Sequence, residues 1–269
     1  MTIRVCVAGA TGWAGSSLTK AIVAVEDMAL VGAVSRSHAG KSISDVLDVP
    51  DSQVIISGSV EEALQAQPDV FVEYTKPHVA LQNVLEALNA GCHVVIGTSG
   101  LSDQDYAQIA ARAEQQGRGA LAAGNFALTV VLLQKFAEMA ARHIPHWEIV
   151  DYASSTKTDA PSGTARELAF RLGQIRDSAL DVALEEVQGE PQTRGARLNG
   201  TQVHAIRLPG YVISVEVIFG MDDQKLILRH ESGTSSQPYV DGAMLAIRKV
   251  SALKGLHRGL DTIMDFGGS

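Results

Sequence analysis

Cysteine is nearly absent from this sequence: Cys6 and Cys92 are the only two in 269 residues, and each stands beside an apolar run that reads as a strand. A disulfide framework and a thiolate zinc site are thereby excluded, leaving two reduced thiols in or near a core and no metal centre. An excess of positive charge is missing too. The net charge of −8 lacks the concentrated positive field needed to wrap nucleic acid or an anionic membrane. No uninterrupted apolar stretch reaches membrane-spanning length, and Met1 to Val5 opens directly into strand-like sequence without the charged and apolar regions of a signal peptide. The expectation is a cytoplasmic protein with no nucleic-acid or membrane partner. What is plentiful is apolar: 46% hydrophobic residues suffice for a core in one large domain or two modest ones.

The first half alternates short β-branched runs with helical periodicity. Strand-like runs are Ile3 to Ala8, Ala29 to Val34, Val54 to Ile56, Val70 to Val72, His93 to Ile96 and Gly119 to Ala123. Between them Leu18 to Val25, Val79 to Leu88 and Tyr106 to Ala113 carry apolar residues at three-to-four spacing, the rhythm of βαβ units on a parallel sheet. After Asn125 the pattern changes. A long helix is expected over Leu128 to Ala141, a strand over Trp147 to Val150, and a helix near Thr164 to Leu172. Val203 to Leu208, Tyr211 to Phe219 and Lys225 to His230 read as an antiparallel meander, and Val240 to Val250 as a final helix. The fold class is therefore α/β: a Rossmann-type doubly wound parallel sheet plus a second α+β domain. The expected boundaries are residues 1–126 for the first domain, 127–235 for the second, and 236–269 for a helical segment returning to the first.

Gly9-Ala10-Thr11-Gly12-Trp13-Ala14-Gly15 follows the first strand and opens the first helix, the context a dinucleotide fingerprint demands. Its GxxGxxG spacing is a variant of GxGxxG. Small residues let the backbone approach a pyrophosphate, while free N–H groups and the helix dipole face its charge. Where an NAD-selective site places an acid at the end of the second strand, this chain has Ser35-Arg36-Ser37. Arg36 between two hydroxyls suits a 2′-phosphate, so the expected cofactor is NADPH or NADH with NADPH preferred. Three later loops, Tyr74-Thr75-Lys76-Pro77, Gly97-Thr98-Ser99-Gly100 and Gly124-Asn125-Phe126, leave the same carboxyl edge of the expected sheet and offer small residues or hydroxyls to a nicotinamide and its ribose.

The densest chemistry is Lys157-Thr158-Asp159-Ala160-Pro161-Ser162-Gly163-Thr164. Thr164 followed by Glu167 reads as a capping box, so Gly163 and Thr164 present N–H groups at a positive helix end, a site for a carboxylate. Lys157 supplies a compact charge with three donors, able to steady a developing anion or donate a proton. The plainer alternative pairs Lys157 with Asp159 on the surface and leaves Thr164 as a cap.

With these residues in hand the chain resembles the 4-hydroxy-tetrahydrodipicolinate (dihydrodipicolinate) reductase family, NAD(P)H-dependent enzymes of lysine and diaminopimelate biosynthesis. The glycine loop, the three carboxyl-edge loops and the intact Lys-x-Asp-Ala-Pro-Ser-Gly-Thr-Ala string carry the resemblance over nearly the whole length. It implies a cofactor site of Gly9 to Ala14, Arg36, Gly97, Thr98, Ser99, and Ala123, Gly124, Asn125 and Phe126. It also implies Lys157 as the catalytic residue, Gly163 and Thr164 as substrate-binding residues, a small cyclic imine dicarboxylate as hydride acceptor, and a homotetramer whose second domain serves substrate binding and oligomerisation. Two departures stand out. The family's His-His pair before the lysine, a proton donor and a substrate contact, reads Ala153-Ser154, and its Ser-Ser-Arg reads Thr234-Ser235-Ser236. Loss of a general acid removes about 10²- to 10⁴-fold in rate, so either another group has taken over or the substrate differs. Tyr152, His204, Arg207, Arg229 and His230 are the candidate replacements. Three readings follow: the family's own reaction with rebuilt proton delivery, reduction of another imino or amino carboxylate, or a catalytically silent dinucleotide-binding paralogue.

Overall fold

The computed structural model describes residues 2–50 and 52–266. The chain forms two units, Met1–Leu128 with Ser236–Ser269, and Thr129–Ser235. The first begins β1 (Ile3–Ala8), α1 (Trp13–Val23), β2 (Met28–Val34), α2 (Ile43–Leu47), α3 (Val60–Leu64), β3 (Val70–Glu73), α4 (Pro77–Asn89), β4 (His93–Ile96), α5 (Asp103–Gln116) and β5 (Gly119–Ala122). The second holds α6 (Leu128–Ala141, its first residue still in the first unit), β6 (His146–Ala153), α7 (Gly163–Gly173), β7 (Ala196–Leu198), β8 (Thr201–Arg207), β9 (Ile213–Met221) and β10 (Gln224–Ser232). The chain then re-enters the first unit as α8 (Val240–Lys249) and β11 (Gly255–Arg258).

The first unit is built on an all-parallel six-stranded sheet in the order β11-β5-β4-β3-β1-β2. Parallel strands covered on both faces need continuous apolar runs, and β3 and β5 are buried at every position. Cys6, Phe71, Val94 and Ile96 pack one face against Val84 and Leu88 of α4 and Ile109 of α5, while α1 packs beside α8. Both thiols are buried and free, and burial pushes that of Cys92 up to about 11. Helix ends follow local chemistry: Ser102 and Asp105 close a capping box on α5, and Gly117, with φ of 62°, ends it in the left-handed region. The chain runs from β1 outward to β2 and then back to β3 on the other side of β1. The sheet therefore reverses direction between β1 and β3, and a crevice opens beyond their carboxyl ends.

The second unit is a mixed sheet, β10-β9-β6-β8-β7, covered on one face by α6 and α7. Trp147 and Ile149 of β6 join Leu133, Leu168 and Leu172 in its core, and the Trp147 indole donates to Thr201 Oγ1 at 3.0 Å.

Three expectations fail here. The expected meander is not one, because β6 lies between β8 and β9, parallel to the first and antiparallel to the second. Chain neighbours usually pair, but β6 alternates buried and half-buried positions and takes the central place, leaving β8 and β9 on its two edges. Val54 to Ile56 forms no strand, only isolated bridges of Ile55 to Ser42 and Ser57 to Val34. The returning segment is not helical throughout, since β11 adds a sixth parallel strand to β5.

His93 links pH to this fold. Its Nδ1 accepts the Gly119 N–H at 2.9 Å, tying β4 to β5, and burial together with nearby Arg118 holds its pKa below the usual imidazole value. A depressed folded-state pKa gives a stability contribution present above about pH 6.5 and lost as pH falls through the folded value. Wild-type melting temperature should therefore drop more between pH 7.5 and 5.5 than that of His93→Gln, which keeps a non-titrating acceptor; equal drops would refute the assignment.

Candidate active site

At the reversal point β1 and β3 meet closely. Tyr74 N–H donates to the Ala8 carbonyl at 3.0 Å, and a β-carbon on residue 9 would lie 2.2 Å from the Tyr74 carbonyl oxygen. Gly9, at φ of 78°, is thus demanded by its own chain, as is Gly15, whose β-carbon would meet the Gly9 oxygen at 2.1 Å. Gly12 plays a different part. It precedes α1 as an exposed N-cap with no side-chain cap bond and no acid in the first turn, leaving the helix's leading N–H groups open to an anion.

Beyond this turn lies a cavity of about 340 Å³. Trp13 and Ala14 line it from the glycine loop, Gly97, Thr98 and Ser99 from the end of β4, and Ala123 to Phe126 from the end of β5. Nine of the expected cofactor residues therefore share one cavity. Gly9, Ala10, Thr11 and Gly12 form the turn leading into it without lining it, and Arg36 is exposed at the tip of β2. Thr11, Ser35, Ser37 and His38 cluster there, with Thr11 Oγ1 2.7 Å from Ser35 Oγ and Ser37 Oγ 3.0 Å from His38 Nδ1.

Two aromatic pairs complete the cavity wall. Trp13 meets Tyr239 edge-on at 5.6 Å, and Tyr74 meets Phe126 edge-on at 6.1 Å. The Tyr74 ring occupies the space where Gly97 would carry a β-carbon, 1.9 Å from Cε1. Its hydroxyl is buried without a hydrogen-bond partner, and burial raises its pKa. An uncapped helix start, open space over Gly124, flat aromatic walls and an orphaned hydroxyl together fit a dinucleotide. Tyr239 was not among the expected site residues; the only sequence signal for it is an aromatic in a chain with 5% of them.

Lys157, Gly163 and Thr164 lie on the second unit. The helix begins earlier than expected: Ser162, not Thr164, is its cap, and Glu167 pairs with Arg171 instead of closing a capping box. The cause is Asp151, fully buried on β6, which accepts from Ser162 Oγ at 2.6 Å, Ser162 N at 2.8 Å and Arg207 Nη2 at 2.7 Å. Arg207 also donates to the Asp159 carbonyl at 2.7 Å, strapping the loop between Lys157 and the helix. Lys157 Nζ stands 2.7 Å from Asp159 Oδ1, holding that carboxyl below its usual range.

Ala153, at the end of β6, is sealed in the core with no exposed surface. Ser236 is tied to α1 in the first unit, donating to the Trp13 carbonyl at 2.9 Å and lying 2.7 Å from Ser17 Oγ. Each of the five side chains expected as an alternative proton donor or substrate contact already has a partner. Tyr152 donates to Glu216 at 2.9 Å, and burial with that carboxylate pushes its pKa up to about 12. Arg229 pairs with Glu216 at 3.2 Å, His204 with Glu148 at 2.7 Å, and His230 with Thr129 at 3.0 Å.

Comparison with known proteins decides the family. Family models described as dihydrodipicolinate reductase, N-terminus and C-terminus, match residues 3–126 and 129–265. This chain belongs to the dihydrodipicolinate reductase family. It is 39% identical over 268 residues to 4-hydroxy-tetrahydrodipicolinate reductase of Moorella thermoacetica, covering 98% of this chain and 99% of the relative. The Desulfitobacterium hafniense reductase of the same name is 36% identical over 265 residues, with 98% and 99% covered. Among solved structures, the dipicolinate-bound dihydrodipicolinate reductase from Paenisporosarcina sp. TG-14 superimposes with a TM-score of 0.87 at 32% identity, covering 98% of this chain and all of that one.

Removing the Asp151 carboxylate leaves the half-buried Arg207 guanidinium without its counter-ion. Asp151→Ala should lose about 3–5 kcal/mol of stability, read by denaturant unfolding, and release Ser162 from its fixed position. A loss below about 1 kcal/mol would place the loop's anchor elsewhere.

Proposed function

We propose that this protein is an NAD(P)H-dependent 4-hydroxy-tetrahydrodipicolinate reductase of lysine and diaminopimelate biosynthesis. The observation that carries the reading is the intact Lys157 to Ala165 string, folded as a lysine-bearing loop into an uncluttered helix start, in a chain whose first unit keeps the cofactor cavity. The dipicolinate-bound relative supports a dicarboxylate ligand. When bound, reduced nicotinamide supplies a hydride. The chain's own residues supply the rest: Gly9 to Ala14 present amides to the diphosphate, and Gly97 to Ser99 with Ala123 to Phe126 surround the nicotinamide riboside. Gly163 and Thr164 offer N–H groups to a substrate carboxylate. Lys157 carries the charge that steadies the developing anion and holds a proton for it, completing net addition of one hydride and one proton to the conjugated imine left when the substrate's 4-hydroxyl departs as water. We assign residues 1–126 to cofactor binding, 127–235 to substrate binding and assembly as a homotetramer, and 236–269 to the return segment. We also assign it to the cytoplasm, where soluble reduced pyridine nucleotide is at hand; no helix among the described residues is long and apolar enough to cross a membrane.

A second reading, reduction of a different imino or amino carboxylate, is favoured by the buried methyl of Ala153 and the engagement of Ser236. Turnover with enzymatically generated 4-hydroxy-tetrahydrodipicolinate and NADPH separates the two: a rate at background would exclude the first and direct a screen of imino acids.

Lys157→Ala should lower turnover by about 10²- to 10⁴-fold with the dissociation constant for NADPH unchanged. Turnover at the wild-type rate would show that the chemistry lies elsewhere. For the nucleotide preference, Arg36 beside the Ser35 and Ser37 hydroxyls supports NADPH. Arg36→Ala should weaken NADPH binding by about tenfold or more and leave NADH binding as it was. An equal loss for both, or a wild type that binds NADH more tightly, would remove Arg36 from that role.

A further inference from the structure

Glu73, the last residue of β3, has no exposed surface, and its carboxylate is met only by donors. Oε1 accepts from the Thr75 amide at 2.7 Å, from the Thr75 hydroxyl in a short contact, and from Thr98 Oγ1 at 3.2 Å, while Oε2 accepts from Asn83 Nδ2 at 2.9 Å. Thr98 Oγ1 also lies 3.3 Å from the Glu73 carbonyl, a second acceptor on the same side. Burial raises this carboxyl's pKa, the four donors oppose that, and among the described residues no cation is paired with it. Keeping a carboxylate here is costly, so what it organises bears on function.

A threonine hydroxyl has one proton and two lone pairs. Thr75 and Thr98 both point their proton at Glu73, and both line the 340 Å³ cavity. Toward the cavity they therefore have only lone pairs to offer. A wall of that polarity, backed by a buried negative charge, welcomes a donor and repels a carbonyl or carboxylate oxygen.

We propose that Glu73 is a positioning residue that fixes the Thr75 and Thr98 hydroxyls as acceptors, so that the cavity selects a ring substituent bearing N–H donors, the primary carboxamide of a nicotinamide. The proposal rests on the dinucleotide reading above and adds to it the group that sets polarity at the ring.

The test compares dissociation constants, by equilibrium titration of the full-length protein, for NADPH and for the reduced analogues in which an acetyl or a carboxylate replaces the carboxamide. The wild type should bind the acetyl analogue about tenfold more weakly and the carboxylate analogue more weakly still. Thr98→Val and Thr75→Val keep the branched shape and remove lone pairs, so each should weaken NADPH selectively and move its ratio to the acetyl analogue toward one. Glu73→Gln retains an acceptor for both hydroxyls once the Asn83 amide turns over, and should keep most of the wild-type ratio. Glu73→Met removes the carboxylate and frees the Thr75 hydroxyl proton, while Thr98 keeps the residue-73 carbonyl as acceptor, so the ratio should fall part of the way toward one; if it fails to fold, the two threonine variants decide. A wild-type ratio near one, or a ratio untouched in both threonine variants, overturns the proposal while leaving cofactor binding intact. Failure of the wild type to bind any of the three nucleotides overturns the dinucleotide reading instead.

Discussion

The contact between residue 9 and the Tyr74 carbonyl governs the architecture of the first unit. No β-carbon fits at that point, and the amide of Tyr74 is already committed to Ala8. With β1 and β3 held this close, the segments leaving them must part in opposite directions. The glycine turn rises into α1, and the Tyr74 to Pro77 segment crosses toward β4. The cavity is the space between them. Gly97 continues the same logic one strand over, because the Tyr74 ring takes the volume a side chain would need. Two of the loop's three glycines thus answer first to packing within the protein. Gly12 is less confined: a β-carbon there would meet the Gly9 oxygen at 3.2 Å, and the residue stands exposed at the helix start.

Among the described residues each unit contains one fully buried carboxylate at or near the end of a strand, and the two are stabilised by different means. Asp151 neutralises a guanidinium and caps a helix through Ser162, so its charge is balanced by a formal cation and the loop is bonded to it at Ser162. Glu73 is balanced by hydrogen bonds alone, from side chains and one amide. An ion pair fixes geometry; a carboxylate ringed by neutral donors fixes which atoms of those donors carry protons. The Tyr74 to Pro77 loop and the loop before α7 are therefore each organised from beneath by a buried acid.

Strand-and-helix rhythm made most of this visible in advance. Helix α6 falls on the expected Leu128 to Ala141, and the first five parallel strands lie where apolar runs placed them, because a strand buried on both faces leaves a mark on every residue. Val54 to Ile56 shows the limit of that signal: three apolar residues suffice for a bridge and not for a strand. The insertion of β6 between β8 and β9, and the pairing of β11 with β5, depend on contacts between segments far apart in sequence, which periodicity does not encode. The candidate site divides the same way. Loop residues were legible from their place after strands. Glu73 and Tyr239 were not, since a lone acid ending an apolar run and a tyrosine before a helix carry no pattern of their own.

Burial and existing bonds narrow what the side chains around the end of β6 can do. Ala153 is sealed within the core, so a side chain there could reach solvent only by rebuilding the sheet end, and Ser154 is occupied with Thr156 at 3.0 Å. Tyr152, Arg229 and His204 are held by Glu216 and Glu148, and the Arg207 side chain is engaged by Asp151 and by backbone carbonyls. Using any of these as an acid would mean first breaking a charge-assisted bond, at a cost of about 1.5–3 kcal/mol. Lys157 needs less. Its bond to Asp159 is exposed to solvent, where competing water weakens such a pair, and its flexible stem lets the ammonium exchange one carboxylate for another. Of the charged side chains compared, Lys157 is therefore held by the bond that costs least to exchange.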